Sequence, residues 1–226
     1  MTDAQWSQLN SSWHHTFEND LASRTTNQPP YIDQALALTL LAKNGVVELD
    51  DAIDYAAGYG TFSRCMKKYF DIGIPIFDRY VRNQDNRVSY VAEQDLSRYT
   101  LVINSAMFEH VLDRDALDEV NRLVRDDGVL MLHTVIAERV PKDPDWFYID
   151  TMVHTAFHTN KSMSLLMDQW GYAASVYSPQ AKSWYLFKRG CPGLAELEAR
   201  IIGINRELQT PYFHYKQGFV DYWKGF

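Results

Sequence analysis

Several short stretches of the chain hold residue types whose spacing suits work on a small ligand. Asp54-Tyr55-Ala56-Ala57-Gly58-Tyr59-Gly60 sets small residues at alternate positions after an acid. Such a turn lets backbone approach a ligand with no Cβ in the way, although a bare G-x-G is also a plain tight turn. Asp78 closes the apolar run Ile74 to Phe77, eighteen residues beyond Gly60. A nucleotide-binding α/β fold places the acid that holds ribose hydroxyls at such a point. Glu93-Gln94-Asp95-Leu96 could offer an acid to an adenine amino group. Phe108-Glu109-His110-Val111 joins a carboxylate to an imidazole. An imidazole titrates near neutral pH, so His110 could take a proton from a hydroxyl. It could equally orient its loop, and Glu109 could orient His110, bind a ligand or cap a turn.

Further along, His154 and His158 stand in a region dense with Trp146, Phe147, Tyr148 and Asp150. The aromatics, Trp146 and Tyr148 above all, could stack on a sugar face, with Asp150 as a polar contact. The two histidines are expected to share one face of a helix, four apart, where they could touch an acceptor, act as a base or serve the structure. Two imidazoles do not make a metal site, and spacing supplies no third ligand beyond the nearby Asp150, so no metal is assigned. His133, inside an apolar run, reads as buried and hydrogen-bonded.

The elements needed to hold these residues follow from the pattern. Residues 1–30 read as one or two short helices or a flap. Ile32, Ala35, Leu36, Leu38, Leu40 and Leu41 make an amphipathic helix that stops near Asn44-Gly45. From Ala52 onward, strands alternate with helices: strands at Ala52–Tyr55, Ile74–Phe77, Val88–Val91 (the weakest), Leu101–Asn104 and Val129–Val135, with helices over Thr61–Phe70 and Leu112–Val124. Alternation of this kind implies parallel pairing in a doubly wound sheet. A helix over 161–170 and a hairpin, Tyr172–Tyr177 with Trp184–Lys188, follow. The tail opens as a helix through Leu197, Ile201 and Ile202. It ends in Tyr212, Phe213, Tyr215, Phe219, Tyr222, Trp223 and Phe226, aromatics expected to pack on the domain or on a second subunit.

Together these residues resemble the class I S-adenosylmethionine-dependent methyltransferases. Asp54, Ala56, Gly58 and Gly60 match the family's first motif, with alanine at its usual first glycine. Phe108-Glu109-His110-Val111 is similar to the Leu-Glu-His-Val segment after the fourth strand, and Asp118 to Gly128 to the helix and turn before the fifth. Thr100 stands where many relatives carry an acid. The resemblance spans roughly residues 50 to 190. It implies an α/β, Rossmann-like doubly wound sheet of seven strands in the order 3-2-1-4-5-7-6, strand 7 antiparallel. A helical cap over residues 1–50, the donor-binding domain over 51–190 and a helical, aromatic extension over 191–226 are expected. Donor contacts are implied for Asp54, Ala56, Gly58, Gly60, Asp78, Arg79, Asp95, Leu96, Asn104 and Glu109, and catalytic roles for His110, His154 and His158. The general pattern and Phe157-His158-Thr159-Asn160-Lys161-Ser162 resemble bacterial enzymes that methylate sugars.

The expected reaction is methyl transfer from S-adenosylmethionine to a small-molecule or sugar hydroxyl. The alternatives are N-methylation of a small metabolite and a non-catalytic partner subunit of the same fold. A nicotinamide oxidoreductase fits less well, because Ser63 stands where the G-x-G-x-x-G fingerprint needs its last glycine. Gln28-Pro29-Pro30-Tyr31 looks like the signature of base-flipping DNA enzymes but precedes the first motif, where it reads as a turn into a helix. Composition narrows the partners. The 226 residues are 46% hydrophobic and 23% charged, the balance of a globular domain, and the net charge of −7 argues against binding nucleic acid. No apolar run is long enough for a membrane span, the polar start does not read as a signal peptide, and Cys65 and Cys191 form no pair, so a reducing cytoplasm is expected. The aromatic tail is the expected surface for a homo-oligomer.

Overall fold

In the computed structural model, residues 1–19, 29–81, 87–146, 148–149 and 151–221 are described. Phe147, Asp150, Gln28, Tyr222, Trp223 and Phe226 lie outside the described residues. The sheet is built from β1 (Ala52–Tyr55), β2 (Ile76–Phe77), β3 (Tyr99–Ser105), β4 (Val124–His133), β5 (Tyr172–Ser178), β6 (Ser183–Lys188) and β7 (His214–Gln217). The order is β2-β1-β3-β4-β6-β5-β7. β2, β1, β3 and β4 run parallel, whereas β6 is antiparallel to both β4 and β5. This is the expected arrangement with two changes at its edges. Val88–Val91 contributes a single parallel bridge, Ile76 to Tyr90, rather than a strand. The cause lies in β2: Pro75 has no N–H to donate, and Asp78 turns away from the ladder, which leaves little strand to pair with. At the far edge β7 adds an antiparallel strand to β5. Its sequence, His-Tyr-Lys-Gln, lacks the apolar alternation that marks a strand, as suits a half-exposed edge.

Alternation along the strands divides the core. Leu101, Ile103, Val129, Met131, Tyr185 and Phe187 point to one face, and Val102, Leu130, Leu132 and Leu186 to the other. The first face is covered by α2 (Tyr31–Lys43), α3 (Thr61–Phe70) and α6 (Leu197–Leu208), through Leu38, Leu41, Phe62, Met66 and Ile201. The second is covered by α4 (Arg114–Leu123) and α5 (Asn160–Gln169), through Leu117, Val120, Met163 and Met167. Strands buried on both faces are those of a parallel α/β sheet. Phe213 and Phe219 of the tail are buried in these same two cores.

Among the described residues of the N-terminal part, Asp3–Asn19 form helix α1. Trp6 is buried, and Ser11 Oγ donates to Tyr80 O at 3.2 Å, which sets α1 beside the end of β2. In α2 the expected stripe is turned: Ile32 and Leu36 are exposed, while Gln34 and Thr39 are buried. Gln34 Oε1 accepts from Ser105 Oγ at 3.1 Å, and this contact at the end of β3 fixes which face goes inward. The segment Phe157 to Ser162 has a local job. Thr159 and Ser162 form a capping box that starts α5, so the part of the pattern that resembles sugar enzymes is accounted for by helix initiation.

The loops after β1 and β3 hold alanine in the left-handed region, Ala56 at φ 59° and Ala106 at φ 62°. A side chain there costs roughly 1–2 kcal/mol, and such outliers gather where a fold is organised around a ligand. Ala56→Gly removes that cost. It is expected to stabilise the fold by roughly 1 kcal/mol in denaturant titrations, after the entropy that glycine gains in the unfolded chain. An unchanged or lower midpoint would show that Ala56 is not strained.

Candidate active site

The parallel strands present their carboxyl ends along one edge, and the chain reverses its direction of winding between β1 and β3. Ligands of open α/β sheets bind at such a switch point. After β1, Gly58 and Gly60 take φ of 54° and 70°. A Cβ at Gly60 would lie 2.9 Å from Ile76 Cδ1, so another residue there would displace that methyl besides taking up a left-handed backbone. Asp78 joins the two loops. Its Oδ2 accepts from Gly58 N at 2.8 Å, and its Oδ1 accepts from Tyr80 N at 2.8 Å and Val81 N at 2.7 Å.

Asp54 lies beneath the turn, buried, with Ser63 Oγ donating to it at 3.1 Å. Burial pushes its carboxyl up to about 7 from an ordinary 3.8, against the pull of Ser63 and helped by the charge of Asp78. An acid that binds its proton more tightly when folded favours the fold at low pH, and that advantage is lost as pH rises from about 4 through about 7. The share carried by Asp54 is at most about 4 kcal/mol. Asp54→Asn should flatten the stability–pH profile across this window. Equal slopes for variant and wild type in urea unfolding would contradict it.

Asn104, in β3, is buried and donates from Nδ2 to Tyr55 O at 3.1 Å. Among the described residues, Asn104 Oδ1 and Gln34 Nε2 are buried with no hydrogen-bond partner. They lie on and beside the carboxyl end of β3. Arg79 is tied at the surface to Glu93 at 3.0 Å and Glu119 at 2.7 Å, and Glu119 also accepts from Tyr55 OH at 2.9 Å. Asp95 sits exposed in a short 3-10 turn, while Leu96 packs partly against the core.

A second group of residues stands where β3 and β4 end. Phe108, Glu109 and His110 form a 3-10 turn after β3. The segment 148–158 is stitched onto it: Thr155 N (2.8 Å) and Ala156 N (3.1 Å) donate to Glu109 O, and Thr155 Oγ1 donates to Val111 O at 2.7 Å. Glu109 is buried, with Thr134 Oγ1 donating to Oε2 at 2.9 Å. Burial pushes its carboxyl up to about 7. His154 Nδ1 lies 2.7 Å from Tyr148 O, a contact that requires a proton on Nδ1 and leaves the lone pair on Nε2. Burial lowers its pKa, which favours this neutral form. The rings of His110 and His154 meet edge to face at 4.8 Å, and Glu109, His110 and His154 each offer a ligand atom within 4.8 Å of the others.

The chain matches the family of methyltransferase domains over residues 33–175, well over half its length. The chain belongs to the class I S-adenosylmethionine-dependent methyltransferases. No curated protein matches it. Solved structures are alike at low identity. An O-methyltransferase family protein from Burkholderia thailandensis is 18% identical, with a TM-score of 0.53 over 78% of this chain and 62% of its own. A SAM-dependent methyltransferase, possible histamine N-methyltransferase, from Thermotoga maritima is 13% identical, with a TM-score of 0.51 over 78% of this chain and 100% of its own. A chain of the complex between the Haloferax volcanii Trm112 methyltransferase activator and the putative methyltransferase is 15% identical, with a TM-score of 0.52 over 94% of this chain and 97% of its own. These likenesses establish the fold.

In this methyltransferase the residues singled out from sequence divide in two. The turn from Asp54 to Gly60, Asp78 and Asn104 converge on one end of β1, and Glu109, His110 and His154 on the end of β3. His158 does not join His154. Residues 154–157 are not helical, so the spacing of four sets no common face, and His158 turns inward to lie 3.0 Å from Phe108 O through Nε2. Tyr148 is buried, its phenol accepting from Val135 N at 3.3 Å and its ring 4.2 Å from that of His154. It supports the loop and offers no open face to a sugar. Trp146 is half-buried against Tyr148 and Phe157. His133 is buried 2.7 Å from Lys182 O, and burial holds it down at about 4. Sequence reasoning passed over Thr134, Glu119 and Gln34, and read Ser63 only as a missing glycine. Thr134 alone left a signal, as the polar residue directly after the last residue of β4, at the edge where ligands collect.

Among the described residues no helix is long and apolar enough to cross a membrane.

Proposed function

We propose that this methyltransferase takes S-adenosylmethionine as donor and methylates a hydroxyl of a small molecule or sugar. The observation that carries the reading is the Glu109–His110–His154 cluster at the end of β3, one strand from the glycine turn at the end of β1. Neighbouring strands lie about 4.8 Å apart, so an acceptor over β3 is within reach of a donor bound over β1. Asp78 would hold the donor's ribose. Gly58 and Gly60 would let its amino-acid part lie against backbone, and Asn104 would meet a polar atom beside it. Bound there, the donor supplies a sulfonium methyl group, whose carbon the acceptor oxygen takes as the carbon–sulfur pair stays on sulfur.

What the chain must add is alignment and a route for the hydroxyl proton. The cluster supplies the route: His154 keeps a lone pair on Nε2, its ring is clamped through Nδ1 and by Tyr148, and His110 lies edge-on to it. A neutral amine needs no base, so a half-buried imidazole pair beside a buried carboxylate favours a hydroxyl. Trp146, with Phe157, would form the acceptor's apolar wall. Reaction with S-adenosylmethionine and a panel of glycosides, nucleotide sugars, phenols and amines, read by mass spectrometry, tests the reading. A methyl ether on a hydroxylated acceptor supports it. Methylation of amines alone would overturn the hydroxyl assignment.

A further inference from the structure

We propose that Glu109, His110 and His154 bind one first-row divalent cation, of the zinc or cobalt type, with room left for an oxygen of the acceptor. The inference rests on the reading that the acceptor approaches this cluster, and it changes what the cluster does there. Instead of accepting the proton itself, the cluster would hold an ion that makes the hydroxyl more acidic.

Three observations carry it. The first is the donor set, two imidazoles and one carboxylate with ligand atoms within 4.8 Å of one another. This set suits borderline first-row ions and not magnesium, which prefers oxygen and water. Donor atoms around a tetrahedral zinc ion stand ~3.4 Å apart, given bonds of about 2.0–2.1 Å. Movement of His110, at the end of its 3-10 turn, toward the fixed ring of His154 would take up the remaining distance. The second is what stands behind the ligands. Metal-bound histidines ordinarily donate the far ring N–H to a carbonyl or carboxylate, and ligating carboxylates are themselves hydrogen-bonded. His154 does the first through Nδ1 to Tyr148 O at 2.7 Å, and Glu109 the second through Thr134 Oγ1 to Oε2 at 2.9 Å. Nε2 of His154 is thereby left for the ion, and Glu109 would ligate it alongside the bonds its carboxylate takes from Thr134 and Tyr148. The third is topology: Glu109 and His110 follow β3, while His154 comes from the separate segment 148–158. An ion would therefore pin the acceptor-side loop to the sheet. An acceptor hydroxyl bound to the ion would ionise at lower pH and release its proton to solvent.

The test uses the full chain, free of any histidine tag and stripped with chelator, titrated with cobalt(II) and followed by visible absorption and calorimetry. S-adenosylhomocysteine is titrated into the same samples. Wild type is expected to bind one equivalent with the ligand-field bands of an imidazole-bound ion. Glu109→Gln, His110→Ala and His154→Ala should each weaken binding roughly a hundredfold or more, and Thr134→Val, which keeps every ligand, about tenfold. His214→Ala, a histidine in β7, should bind as wild type does. Circular dichroism identifies any variant that fails to fold, and the remaining variants then decide. Absence of a stoichiometric complex in wild type, or equal affinity in the folded ligand variants, would overturn the proposal. Cobalt binding without S-adenosylhomocysteine binding would leave the metal site standing and remove the donor assignment instead.

Discussion

Asp78→Ala is expected to weaken S-adenosylmethionine binding about a hundredfold. The carboxylate has about four acceptor positions, of which Gly58 N, Tyr80 N and Val81 N occupy three. Oδ2 keeps one for a ribose hydroxyl, and a hydrogen bond to a charged group contributes about 1.5–3 kcal/mol. Loss of the Gly58 anchor adds to this, because the turn would no longer be held in its left-handed shape before the donor arrives. Asp78→Asn retains one acceptor oxygen and should fall between alanine and wild type. Calorimetric titration with S-adenosylhomocysteine separates the cases. Wild-type affinity in a folded Asp78→Ala protein would remove this residue from the donor site.

The second large effect falls on turnover. His110→Ala and His154→Ala are each expected to lower turnover by about 10²- to 10⁴-fold, the range of a positioned acid or base, while donor affinity changes by less than about threefold. The double variant should lose little more than the worse single one, since the two rings touch and act as a unit. His158→Ala is expected to act differently. It removes a buried hydrogen bond to Phe108 O, so it should lower the unfolding midpoint first and activity only as the loop loosens. Wild-type turnover in either of the first two variants would discard the proton-handling role of that residue.

The grouping of the glycine turn with Asp78, the proposed donor half, was legible in the sequence because its parts are local. A glycine turn must follow its strand directly, and Asp78 is tied to Gly58 by the short path of one strand–helix–strand unit. The acceptor half was legible only in part. Glu109 and His110 announce themselves as neighbours, but His154 reaches them through the fold, and a spacing of four pointed instead to His158. That inference assumed a helix in a stretch that follows Pro141 and Pro144, where the backbone is irregular. Thr134, Glu119 and Gln34 matter through contacts with residues 25 to 71 positions away. No periodicity records such contacts. The same limit explains the sheet edges: Val88–Val91 looked enough like a strand, but β2 was too short to pair with it, and the polar β7 gave no strand signal at all.

The most direct test of the account is calorimetric titration of the purified chain with S-adenosylmethionine, with S-adenosylhomocysteine and, separately, with NAD. The account predicts micromolar affinity for the first two and none for NAD, because the turn offers Ser63 where a dinucleotide fingerprint needs glycine. Binding of NAD alone, or of none of the three, would contradict it.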